Sequence, residues 1–165
     1  MKYKMIVLDL DGTLTNNKKL ITPHTQQALM LAQTAGVHVV LASGRPTYGI
    51  VPLAEELKLK ENNGYILAFN GGKIIDCTNN NVLFEQKLDE QLVPLLYQEA
   101  KKANMEILTY QGEGIAATNK DDKYVQHEAF INKMPVMQYD DFLHQLVYPI
   151  NKCLIVGDPT PLHEL

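Results

Sequence analysis

The sequence predicts an α/β protein whose N-terminal part is built on a parallel sheet and whose C-terminal part is α+β. Three observations carry this. Met5–Leu10 and Val37–Ala42 are short apolar runs with a helical pattern between them, and strand, helix, strand with short connections makes a βαβ unit. Each run ends in turn residues, Asp11-Gly12 and Ser43-Gly44, as buried strands do. Composition then shifts at Thr78-Asn79-Asn80-Asn81, and beyond it strands and helices no longer alternate regularly. The expected division is residues 1–80 for the core part and 81–165 for the α+β part.

The elements follow in order. Thr13–Leu20 is polar and expected to be a loop or small hairpin. Thr22-Pro23 is a helix start, with Thr as N-cap and Pro first in the helix. Ala28, Leu31, Ala32 and Ala35 recur at helical spacing, which predicts that they form the apolar face. Gly36 then ends the helix. A second helix is expected from about Pro46 to Leu59 despite Pro52. Tyr65–Phe69 and Lys73–Asp76 read as strands around the turn Asn70-Gly71-Gly72. Past the boundary come strand Val82–Gln86, helix Asp89–Ala103, strands Met105–Tyr110 and Ile115–Thr118, a helix within Lys120–Asn132, a short helix near Asp140–Leu146 and strand Lys152–Val156. Thr160-Pro161 starts another helix, and the sequence stops after about one turn of it, as a chain cut inside an element would.

Composition narrows the function classes. Hydrophobic residues make up 45%, enough for a packed core. The formal net charge is −4, with no tryptophan, so neither a basic patch nor a stacking platform points to nucleic acid. No apolar run is long enough to span a membrane, and the N-terminus lacks a signal-peptide pattern. The chain is expected to be soluble and cytoplasmic. Cys77 and Cys153 form no CxxC pair and are expected to be reduced thiols. The five histidines show no metal-ligand spacing, and Lys120–Lys123 reads as a solvated charge run.

The chemistry concentrates in Met5–Thr13, MIVLDLDGT. Asp9 and Asp11 are two residues apart at a strand end, so their carboxylates share one side. Two adjacent carboxylates repel unless a cation joins them, and Mg²⁺ takes hard oxygen ligands of this kind together with phosphate oxygens. Asp9 is then a nucleophile toward phosphorus and Asp11 an acid and base for the leaving group and for water. Both are candidate Mg²⁺ ligands. Gly12 and Thr13 would turn backbone N–H groups toward a phosphate.

Strand plus DLDGTL resembles the first motif of the haloacid-dehalogenase superfamily of phosphatases. Ser43-Gly44-Arg45-Pro46 resembles its second. The resemblance implies a Rossmann-like core, with the Ser43 hydroxyl and Gly44 N–H on the transferring phosphoryl group. Arg45 can either reach phosphate or brace the loop by an ion pair. Phe69-Asn70-Gly71-Gly72-Lys73 resembles a turn of the Cof-type subgroup, whose large α+β cap follows the third core strand. By that resemblance Asn70 and Gly71 line the substrate entrance.

The implied function is Mg²⁺-dependent hydrolysis of small phosphorylated metabolites, sugar phosphates first among them. The family's later lysine and acidic motifs are not in this sequence; Gly157-Asp158 lacks the acids that should follow. These 165 residues alone are therefore expected to be at best feebly active, with an exposed sheet edge that suits a homodimer. Two rivals stand: phosphoryl transfer to an acceptor other than water, as in phosphomannomutase-like relatives, and a non-catalytic fragment or binding module.

Overall fold

The computed structural model describes residues 2–162. The chain divides into two compact units, one up to Gln86 and the other from Lys87 on.

The first unit is the expected βαβ core, extended at one side. Strands β1 (Met5–Asp9), β2 (His38–Ala42) and β3 (Tyr65–Ala68) run parallel, and β4 (Lys73–Asp76) and β5 (Asn81–Glu85) add antiparallel, in the order β1-β2-β3-β4-β5. Helix α1 (Pro23–Thr34) starts as the sequence requires: the Thr22 side chain accepts from the Thr25 amide, and Pro23 opens the helix. Helix α2 (Thr47–Glu56) carries Pro52 within it. Leu29 of α1 and Ile50, Leu53 and Ala54 of α2 pack with Val39, Leu41, Ile66 and Ala68 in one core.

Four expectations change. The boundary expected at 80/81 moves to 86/87, because Asn81–Glu85 hydrogen-bonds to β4 and is the last strand of the first sheet. The face of α1 is different: Leu31 is exposed, as are Ala28 and Ala35, while Leu29 and Gln33 are buried. A polar residue can sit on that face because Gln33 Nε2 donates to the Leu57 carbonyl at 2.9 Å. β1 is not buried on both faces: Ile6 and Leu8 are half-buried, whereas Met5 and Val7 are about half exposed. The last helix, α6 (Pro159–Leu162), begins at Pro159, one residue before the expected Thr160 cap; the residues that would continue it, 163–165, lie outside the described residues.

The second unit is a four-stranded mixed sheet, β8-β7-β6-β9, made of β6 (Glu106–Gln111), β7 (Gly114–Ala117), β8 (Val136–Gln138) and β9 (Cys153–Val156). Successive strand residues point to opposite faces. Ile107 and Ala116 accordingly meet α3 (Leu92–Lys102) and α5 (Phe142–Gln145), while Leu108 and Ile115 meet α4 (Lys123–Asn132). Asp122 caps α4, its carboxylate accepting from the Tyr124 and Val125 amides. β8 was not expected; it is three residues long and pairs parallel with β7. Both cysteines are free thiols, and burial pushes each up to about 11. No helix among the described residues is long and apolar enough to cross a membrane.

Leu41 is completely buried in the first core. Leu41→Ala should destabilise the first unit by about 3 kcal/mol. Urea unfolding followed by circular dichroism checks this; a loss well under 1 kcal/mol would mean that the helices do not close over this face as described.

Candidate active site

Three parallel strands end at one edge of the first sheet, and each delivers a candidate residue there. In open parallel sheets this carboxyl edge is where ligands bind. β1 ends in Asp9, β2 leads into Ser43-Gly44-Arg45, and β3 leads into a single 3₁₀ turn, Phe69–Gly71. A cavity of about 310 Å³ opens between them, lined by Asp9, Ala42, Ser43, Gly44, Leu67, Asn70 and Gly71.

Backbone hydrogen bonds tie the loops together. Ser43 N donates to Leu67 O at 2.9 Å, Asn70 N to Ser43 O at 3.1 Å, and Phe69 N to Arg45 O at 2.9 Å. Phe69, Asn70 and Gly71 all have positive φ, of 53°, 60° and 88°. A phenylalanine in the left-handed region is uncommon, and the bonds to the neighbouring loop hold it there. The loops come close at Gly44: a Cβ on it would lie 3.2 Å from Asn70 Nδ2 and 3.3 Å from Asn70 Oδ1, so the Asn70 side chain would have to give by a few tenths of an ångström. The Ser43 hydroxyl oxygen accepts from the Arg45 amide at 3.2 Å. Its own proton therefore stays available to an oxygen in the cavity.

Arg45 is buried, and its side chain meets Asp11 fork to fork. Nε donates to Asp11 Oδ2 at 2.9 Å, Nη2 to Oδ1 at 2.5 Å, and Nη1 to the Gly49 carbonyl at 3.3 Å. Of the two roles open to Arg45 in the sequence, the structure shows the brace. A second cation reaches the same carboxylate: Lys19 Nζ donates to Asp11 Oδ1 at 2.7 Å. Arg45 above all, and then Lys19, hold the Asp11 carboxyl below its ordinary 3.8, against the upward push of burial.

The sequence candidates therefore separate. Asp9, Ser43, Gly44, Asn70 and Gly71 line one cavity; Asp11 and Arg45 form an ion pair and are not among its lining residues. Gly12 (φ 84°) and Thr13 lie in the turn that follows, which closes with Leu14 N donating to Asp9 O and Thr15 N to Leu10 O. Lys19 was missed. Its signal was faint, a lysine eight residues beyond Asp11 across a polar turn.

As a Mg²⁺ site the arrangement is incomplete. Among the described residues there is no group of three or more acidic, His or Cys side chains able to enclose a cation. Asp9 offers a carboxylate at the cavity, but that of Asp11 is taken by two cations, and a third cation beside them would be repelled. Of the two proposed ligands, Asp9 lines the cavity and Asp11 is held by Arg45 and Lys19.

The chain belongs to the haloacid dehalogenase-like hydrolase family, whose model matches residues 6–165. A haloacid dehalogenase-like hydrolase from Bacteroides thetaiotaomicron has a crystal structure similar at a TM-score of 0.92 and 50% identity, over 98% of this chain and 61% of that one. A phosphatase-named protein of Streptococcus pyogenes serotype M6 is 32% identical over 139 residues, 82% of this chain and 51% of its own length. A 5-amino-6-(5-phospho-D-ribitylamino)uracil phosphatase of Bacillus subtilis is 39% identical over 85 residues, 52% of this chain and 32% of its own. The chain thus spans 51% of the Streptococcus protein and 61% of the Bacteroides one. A parallel core followed by an α+β unit is the order expected of the Cof-type subgroup.

The ion pair gives a pH dependence. A lowered folded pKa contributes stability that is fully present above the ordinary carboxylate value and is lost as pH falls through the lowered one. Arg45→Met should raise the Asp11 midpoint and move the onset of acid unfolding of the first unit to higher pH. Carboxyl-carbon NMR across pH 2–6 reads the midpoint; an unchanged value would show that Arg45 does not govern Asp11.

Proposed function

We propose that the complete protein is a phosphomonoesterase for small phosphorylated metabolites, sugar phosphates first among them. One observation carries this: Asp9 shares a cavity with the Ser43 hydroxyl, Gly44 and Asn70 at the carboxyl ends of three parallel strands. The cavity, at about 310 Å³, has room for a phosphoryl group together with part of a small metabolite.

An Asp9 carboxylate oxygen attacks phosphorus, the bond from phosphorus to the leaving oxygen breaks, and that oxygen takes a proton from Asp11, which must carry one at this step although Arg45 and Lys19 favour its ionised form. The products are an aspartyl-phosphate and an alcohol. Water then attacks phosphorus and gives its proton to Asp11, which releases inorganic phosphate and restores the Asp9 carboxylate. Ser43 Oγ–H and nearby amides hold the phosphoryl oxygens in place. The Asp9 carboxylate would be one ligand for Mg²⁺, which would supply positive charge against the negative charge gathered by Asp9 and the substrate. The relatives' phosphatase names, including that of the Bacillus subtilis enzyme for a phosphorylated ribityl compound, support the reaction class.

In the full-length protein, Asp9→Asn should abolish turnover of p-nitrophenyl phosphate with millimolar Mg²⁺ while leaving the melting curve unchanged, because an amide does not attack phosphorus. Retention of more than a trace of activity would remove Asp9 from the nucleophile's role. Ser43→Ala should raise KM and lower kcat together, each by about three- to tenfold, since its hydroxyl meets the phosphoryl group in ground and transition states alike. Steady-state kinetics that match the parent protein would make Ser43 a loop-closing residue only.

A further inference from the structure

The loop after Asp11 brings an unassigned lysine back to it. Asn16 organises the turn: its amide donates to Leu20 O at 3.0 Å, its carbonyl accepts from Lys19 N at 2.8 Å, and its side-chain oxygen accepts from Lys18 N and Leu20 N. Bridges from Thr15 to Asp11 and to Ile21 fasten the base of the loop, and Ile21 is buried in the core. Lys19 itself has a φ of 60°. Its side chain is only 23% exposed, which is low for a lysine on a surface turn, and it ends on Asp11 Oδ1.

Charge bookkeeping shows why this contact is more than a brace. Asp11 is already paired with Arg45 through both oxygens, so the buried guanidinium is satisfied without Lys19. Lys19 puts a second positive charge on a single carboxylate. Together they occupy three of the roughly four lone-pair positions of the carboxylate, and each contact favours its ionised, held form. The carboxylate that they hold is not among the groups lining the cavity of Asp9.

We propose that Lys19 is a positioning residue for Asp11: its ammonium, added to the Arg45 fork, holds the Asp11 carboxylate away from the Asp9 cavity, and proton transfer by Asp11 requires Lys19 to let go. The proposal rests on the reading of Asp11 as the proton carrier. Lys19 favours only the held arrangement, so its removal shifts Asp11 toward the cavity by the strength of one partly exposed ion pair. Arg45 still opposes the movement, which keeps the shift modest.

The test uses the full-length protein with Lys19→Met, Lys19→Arg and, as a control, Asp11→Asn. Single-turnover rates are measured with an alkyl phosphomonoester, whose leaving group needs a proton, and with p-nitrophenyl phosphate, whose leaving group needs none. Lys19→Met should raise the alkyl rate about three- to fivefold, the size expected for one such pair, and leave the aryl rate within about twofold. Lys19→Arg, which can remake the bond, should return the ratio of the two rates to the parent value. Alkyl and aryl rates that move together, or an unchanged ratio, overturn the proposal and leave Lys19 as a structural or phosphate-attracting residue. Asp11→Asn separates the two levels. It should slow the alkyl substrate far more than the aryl one; equal slowing would mean that Asp11 carries no proton, and the reading beneath the proposal fails first.

Discussion

A buried guanidinium joins the parts of the site. Arg45 follows β2, yet its carbonyl accepts from Phe69 beyond β3, its side chain grips Asp11 beyond β1, and Nη1 reaches the Gly49 carbonyl in α2. A buried charge is tolerable only when paired and fully hydrogen-bonded. That demand ties the end of β1 to the loop after β2, and the Arg45 carbonyl adds the loop after β3. The edge of a parallel sheet leaves its loops free to differ from protein to protein; here one residue, through its side chain and its carbonyl, ties three of them together beside the cavity of Asp9.

The same residue makes the two aspartates unlike each other. Adjacent carboxylates of equal environment would share one fate. Here Asp9 faces the cavity, while Asp11, two positions along the chain, faces Arg45 and Lys19. The two carboxylates thus have different surroundings, on either side of a strand end that turns at Gly12.

Much of this could be read from the residues. Thr22-Pro23 announces α1 through local capping chemistry, and the apolar runs before Asp9 and Ser43 announce two parallel strands. The losses have physical causes. The buried face of α1 includes Gln33, which a polarity pattern assigns to water unless its bond to Leu57 is known. β8 is three residues long, and what makes it a strand is β7, not its own sequence. β5 is exposed along its whole length, so its polar lead-in resembled a linker, although its backbone belongs to β4. The partition of Asp9 from Asp11 depends on Arg45 and Lys19, one of them 34 positions away, and no local pattern encodes that.

The close approach of Gly44 to Asn70 has a consequence for descent. With 3.2 Å between a notional Cβ and the Asn70 amide, the residue at 44 limits what position 70 can carry, and the reverse. A side chain at 44 asks the Asn70 side chain to give by a few tenths of an ångström, and a bulkier group at 70 has less room to do so. A change at one position therefore alters how readily the other accepts one, which couples the two at the mouth of the cavity.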